Sequence, residues 1–465
     1  MTLHLDIFSY SVIFILLLCL FLGLYYKDNI QSVRDYAIGS QSLNSFVLIA
    51  TTVATGVGSG SVLGEPTAIY EKGLWYLLAY AMTSWRYILY IYFVLPRFDQ
   101  FYNCFSIADI FGKLFDHRVK KTVAICCILW CFGNLAWQIK GFTWVIENVY
   151  DGNAIVAVTI SFIAILIYTS FGGIKSVIIT DIVQFLIFIL IYMPLMIKLI
   201  YSFFTHGLFI DLSSNTKLQL FTKETLYPLV AVSVYYLLPN TEPSFTHRIL
   251  IANSRIKNIR VNYSLSLFHG INVIFVGLIG VIAISYFSNS DAKKVFFIVT
   301  KELLSPLEST VLGVAIVTTI LSTTDSLINT ASVIFVNDLL SDKIKETKKL
   351  KLMKYVSFIG GLTALIISLM FQNIVDIIFF FGEYYAILIT TPFIMGFILK
   401  LRCCYSFWIS FITGFTLLSI LRIITPDQLK HVAFIITFIL SIIIYYSVFR
   451  AKSNKKNLMI TKDSI

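Results

Sequence analysis

Long apolar runs alternate with short polar loops along almost the whole chain, and their lengths fit the roughly 20 residues that a helix needs to cross a bilayer. The pattern predicts thirteen spans, near 7–26, 43–66, 73–95, 121–146, 153–170, 176–204, 224–246, 262–288, 306–338, 351–371, 374–399, 405–424 and 431–449. The first lacks a small-residue cleavage site and is expected to be a retained helix. Polar positions inside such runs carry the information, because each is expensive in hydrocarbon.

Span 2 reads LNSFVLIATTVATGVGSGSVLGEP. Gly56, Gly58 and Gly60 would each weaken a helix by about 1 kcal/mol relative to Ala. The small residues serve either close helix packing or a mid-membrane break whose freed carbonyls coordinate an ion or a solute. In span 9, Thr319, Ser322, Thr323, Ser326 and Thr330 recur every three or four residues and form one hydroxyl stripe on a helix. Such hydroxyls either bond back to their own carbonyls or supply the modest oxygen ligands that suit a monovalent cation. Asp325 lies beside them.

Asp181 follows Lys175 by six residues in span 6, which allows a surface acid or a cation relay near the cytoplasmic side. Glu383 in span 11 is expected to form a structural ion pair, with Arg86 of span 3 as the available partner. Pro239 and Pro243 break span 7 around Glu242 and would place that carboxylate near the inner end of the span. Trp137, Tyr235 and Tyr236 are candidate pocket aromatics.

Composition narrows the class. Apolar residues make up 58% of the chain and charged residues 13%, too few charges to cover so much hydrocarbon in water. The net charge of +11 reflects Lys and Arg gathered in alternate loops, among them Arg97, Lys120, the group Arg248, Arg255, Lys257 and Arg260, Lys345 and Lys400. By the positive-inside rule this places the N-terminus outside and the C-terminus inside, and nucleic-acid binding is a poor reading of it. The seven cysteines avoid the predicted outer loops, so no disulfide framework is implied. Cys126, Cys127 and Cys131 read as small buried thiols rather than metal ligands. With only a short mixed polar tail after span 13, no separate soluble domain is expected. The remaining classes are a carrier and a transporter-like membrane sensor acting through a partner protein.

Four motifs resemble the sodium/solute symporters: RDYAIGSQSLNSFVLIATTVATGVGSGSVLGEPTAIYEKG at 34–73, YTSFGGIKSVIITDIVQ at 168–184, PSFTHRILIANS at 243–254 and LSTTDSLINTASVIFVNDL at 321–339. The resemblance implies an all-α integral membrane protein with a five-plus-five inverted-repeat, leucine-transporter-like core. The leading helix would occupy 1–33, the core 34–400 with repeats 34–204 and 224–400, two trailing helices 401–450, and a cytoplasmic tail 451–465. It further implies sodium held by the carbonyls of Ala54, Val57 and Thr319 and the hydroxyls of Ser322 and Thr323. Asp181 matches the family's acid for cation coupling, and Asp325 is a second candidate.

The solute is less determined. Sodium/proline symporters carry an aspartate where this chain has Gly56, and their aromatic pair falls at Tyr235 and Pro239. The choline branch resembles the chain in VGSG and Trp137, but has tryptophans where Gly56 and Glu242 stand. The substrate-pocket candidates are Thr55, Gly56, Gly58, Trp137, Tyr235 and Glu242. The expected function is therefore import of a small organic solute, such as proline or a quaternary amine, across the cytoplasmic membrane. Sodium is the coupling ion, and neither a cofactor nor any covalent chemistry is required. The expected partners are the solute, sodium and the lipid bilayer, and the sequence leaves the oligomeric state open.

Overall fold

The computed structural model describes residues 7–25, 36–37, 43–149, 154–207, 210, 215–219, 223–340, 344–426 and 430–462, and among these every regular element is a helix. The chain opens with α1 (Ile7–Tyr25). Asn44 then starts α2 (Ser45–Gly56), its side chain accepting from the Val47 amide at 2.9 Å. Val57 leaves helical geometry (φ −109°, ψ 91°), and the chain resumes as α3 (Gly60–Lys72), bent by 54° from α2. Span 2 is therefore broken, as the glycines allowed.

α4 (Leu74–Phe93) runs back, a short α5 (Ile107–Leu114) caps the bundle end, and α6 (His117–Val149) crosses again. Between α7 (154–172) and α8 (Gly173–Thr205) the turn is made at Gly173, whose φ of 56° favours a residue without a Cβ. α9 (Lys223–Leu237) ends where Pro239 and Pro243 remove amide donors, and α10 (Pro243–Ala252) begins with Pro243 in its first turn. Span 7 is thus broken as well. The rest are α11 (Arg255–Tyr286), α12 (Val295–Leu303), α13 (Pro306–Leu339), α14 (Glu346–Met370), α15 (Ile374–Ile398), α16 (Cys404–Ile424) and α17 (Lys430–Lys462).

Among the described residues, eight helices are long and apolar enough to cross a membrane, nine when the bent pair α2 and α3 counts as one. The expected thirteen spans are thus present in part. The apolar part of α9 is cut short by its break, and α4 carries polar aromatics and Arg86 along its length.

Position within the bundle follows from burial. The most apolar stretch of α13 is 94% buried against only 22% for α16, so α13 is the axis of the bundle and α16 faces outward. Ser305 starts α13 with a reciprocal capping box to Glu308, which satisfies two amides at its first turn. α13 packs on α6, α14 and the 154–187 segment, while α2 and α10 pack on it beside the break. This brings both broken helices to the axis.

Candidate functional site

The helical ladder of α2 ends with the Val57 amide donating to Val53 O at 3.1 Å. Past that point the amide of Ser59, the helical partner of Thr55 O, donates instead to Gln138 Oε1 on α6 at 2.9 Å. Ser59 Oγ donates to Trp137 O at 2.9 Å. The break is therefore tied to α6 and the Thr55 carbonyl is released from the helix. Thr323 Oγ1 of α13 reaches that carbonyl at 3.2 Å and its own Thr319 carbonyl at 3.2 Å. Gly58 makes the approach possible, because a Cβ there would lie 2.7 Å from Gln138 Nε2 and 2.8 Å from Thr323 Oγ1.

Ala54, Val57, Thr319, Ser322 and Thr323, the five candidate sodium residues, are all buried at this junction of α2 and α13. The stripe divides its bonds. Thr319 Oγ1 bonds back to Ile316 O at 2.8 Å, whereas Ser322 Oγ donates to Asp181 Oδ1 at 2.6 Å and Ser326 Oγ pairs with Thr55 Oγ1 at 3.0 Å. Back-bonding thus holds for Thr319, while Ser322 and Ser326 turn their hydroxyls to other helices.

Asp181 is not a surface acid. It is sealed from the surface on α8, and it accepts from Thr51 Oγ1 as well as from Ser322. Arg248 of α10 donates to it at 3.1 Å. The same guanidinium donates to Thr51 Oγ1 at 3.0 Å, Thr55 Oγ1 at 3.2 Å and Ser326 Oγ at 2.6 Å. Arg248 is thus the correction to the loop reading. The break of span 7 carries it into the interior, where it is 1% exposed, while Arg255, Lys257 and Arg260 follow on α11. Asp325 is also buried, and it does not border the cavity.

Beside the break lies a cavity of about 150 Å³ bordered by α2, α3, α4, α6, α9, α10, α11, α13 and α15. Thr55, Gly56, Gly58, Trp137, Tyr235 and Glu242 all border it. Glu242 stands on the cavity wall, at the break itself, rather than at an end of the bundle, since α10 continues the span beyond it. Arg86 borders the same cavity and donates from Nε to Tyr236 O at 2.9 Å. Glu383 does form a structural ion pair, but with Arg422 of α16 at 2.7 Å and with His431 of α17 at 3.1 Å rather than with Arg86. Lys72 joins His431 at 2.9 Å, so the trailing helices are fastened to the end of α3.

Sequence reasoning missed Arg248, Asn134, Gln138 and His269 on the cavity wall. Asn134 and Gln138 are four residues apart in an apolar helix and share a hydrogen bond of 3.3 Å, a spacing that could have exposed them. His269 carries a similar signal, with Ser266 and Asn272 three residues to either side of it on α11. Outside the spans, burial pushes the Cys104 thiol up to about 11, an unreactive side chain by that measure.

The profile of the Sodium:solute symporter family matches residues 36–238, which hold the break and Asp181. The sodium/pantothenate symporter of Escherichia coli (strain K12) is 26% identical over 174 residues, covering 37% of this chain, which spans 36% of that symporter's length. The osmoregulated proline transporter OpuE of Bacillus subtilis (strain 168) is 26% identical over 353 residues, 70% of each chain. A Na+-coupled sialic acid symporter solved in a substrate-bound outward-open state superposes with a TM-score of 0.74 at 17% identity, over 94% of this chain and 96% of that one. A nucleobase-cation-symport-1 family transporter in a closed conformation gives 0.60 at 12% identity, over 90% and 95%. The chain resembles the Sodium:solute symporter family in sequence, and its fold is shared with these transporters.

Proposed function

We propose that this chain is a sodium-coupled symporter that imports a small organic solute across the cytoplasmic membrane, with its N-terminus outside and its C-terminus inside. The observation that carries the reading is the Thr323 hydroxyl of α13 at 3.2 Å from the released Thr55 carbonyl of α2. Oxygens of modest charge from two different helices converge there, and a hard monovalent ion binding among them would hold the helices together. Ala54, Val57 and Thr319 would give main-chain carbonyls and Ser322 and Thr323 hydroxyls, with Asp181 and Asp325 as the acids for cation coupling.

The proposed repeats are 34–204 and 224–400, and their lead spans are the two broken ones, which supports an inverted pair around the cavity. Sodium binding selects the outward-facing arrangement, the solute fills the cavity, and rocking of one repeat against the other releases both inward. One inward positive charge at 100 mV contributes about 2.3 kcal/mol to accumulation. The relatives' names point to proline, pantothenate and sialic acid, so the solute is read from this chain's own cavity. Uptake into proteoliposomes under an imposed sodium gradient, with amino acids, quaternary amines and short carboxylates as labelled solutes, tests the reading.

A further inference from the structure

Among the described residues two opposite charges on the cavity wall, Arg86 and Glu242, form no ion pair, although each lies in the field of the other. Arg86 spends its Nε on the Tyr236 carbonyl, and the rest of its guanidinium makes no hydrogen bond or ion pair among the described residues. Glu242, at the break between α9 and α10, borders the same space, and its carboxylate likewise makes none. The two do not pair with each other. Of the other charged groups of the wall, Arg248 is paired with Asp181, and Glu65 accepts from Tyr236 Oη at 3.0 Å through Oε1 while its Oε2 makes no hydrogen bond among the described residues.

An uncompensated charge away from bulk water is costly, and the cost is relieved when a ligand brings the opposite charge. A guanidinium offers a planar fork suited to a carboxylate. A carboxylate beside aromatic rings, here Trp130, Trp137 and Tyr235, suits an ammonium. We propose that the transported solute is a compact zwitterion whose carboxylate binds Arg86 and whose cationic nitrogen binds Glu242. This rests on the symporter reading above.

Size sets a second limit. A cavity of about 150 Å³ favours a small solute. A quaternary amine without a carboxylate would leave Arg86 uncompensated and place a second cation beside it. A simple carboxylate would leave Glu242 unpaired. A neutral sugar would satisfy neither.

The test uses the purified full chain in detergent. Binding is measured for small zwitterionic amino acids and betaines, each beside its amide, which removes the anion, and its des-amino acid, which removes the cation. At least one zwitterion is expected to bind about ten- to a hundredfold tighter than both of its matched analogues, the loss from one charge-assisted contact. Arg86→Gln should erase the preference over the amide, and Glu242→Gln the preference over the des-amino acid, while Arg86→Lys keeps part of it. Sodium-induced thermal stabilisation without solute is recorded for each variant, because it reports the ion site and the fold independently of the solute. A sodium response with an amide or a des-amino acid binding as tightly as its zwitterion, or with no zwitterion bound, overturns the solute assignment. Zwitterion binding without any sodium response leaves the solute assignment standing and sinks the symporter reading instead.

Discussion

Arg248 of α10 donates to Asp181 of α8 at 3.1 Å, and neither side chain is more than 1% exposed. The pair joins the second broken span to the helix behind the first, and through Ser322 and Thr55 it touches both helices of the candidate sodium site. A change in the charge of this pair is therefore expected to reach the candidate ion site.

Asp181→Asn keeps the size and removes the charge, leaving a buried guanidinium without its anion. Such a loss costs about 3–5 kcal/mol, so the variant is expected to melt at a lower temperature and to need about tenfold more sodium for half-maximal uptake. Adding Arg248→Gln removes the stranded charge and should recover part of the thermal stability without restoring sodium affinity. Thermal denaturation and sodium titration of uptake read the two effects, and normal turnover with normal sodium affinity in Asp181→Asn would take this residue off the coupling path.

Ser322→Ala and Thr323→Ala each delete one proposed oxygen ligand. The concentration of sodium giving half-maximal uptake should rise by about tenfold in each, while the amount of protein in the membrane stays at the parent level. Unchanged sodium dependence in both would reduce the hydroxyl stripe to packing and back-bonding.

Gly58 and Gly56 differ in what a methyl group would meet. At Gly58 it would collide with Gln138 and Thr323 at under 3 Å, whereas at Gly56 the nearest atom is His269 Nε2 at 3.5 Å, an ordinary contact. Gly58→Ala is thus expected to separate α2 from α13 and abolish sodium-driven uptake, and Gly56→Ala to keep sodium affinity near that of the parent. Sodium titration of the two variants side by side checks the contrast.

Glu383 holds Arg422 and His431 from the trailing helices, at a corner that excludes the candidate ion ligands. Glu383→Gln should lower thermal stability by about 3–5 kcal/mol and leave the sodium needed for half-maximal uptake unchanged. A sodium shift of the size seen for Asp181→Asn would mean that this corner acts on the ion site.

The sequence revealed what local pattern controls. The break in α2 was legible because glycines and hydroxyls stood where leucines would anchor a span. The α13 stripe was legible because its spacing follows the helical period. Pairings between distant positions were not. Arg248 sat in a run of basic residues that reads as a cytoplasmic loop, and only the turn at Pro239 to Pro243 carries it inward to Asp181, 67 positions away in sequence. Glu383 was rightly expected to be paired, yet its partners come from α16 and α17, which no periodicity within α15 discloses. Thirteen spans are confirmed only in part for a related reason, since hydropathy cannot foresee that a broken helix divides its apolar length.

Sodium coupling is read from uptake of a labelled small zwitterion by proteoliposomes at a fixed membrane potential, with sodium, potassium or choline as the external cation. Uptake above the equilibrium level with sodium alone, lost in Thr323→Ala at the same sodium concentration, is the result this account predicts. Equal accumulation in potassium or choline, or accumulation driven by a proton gradient with no sodium present, would contradict it.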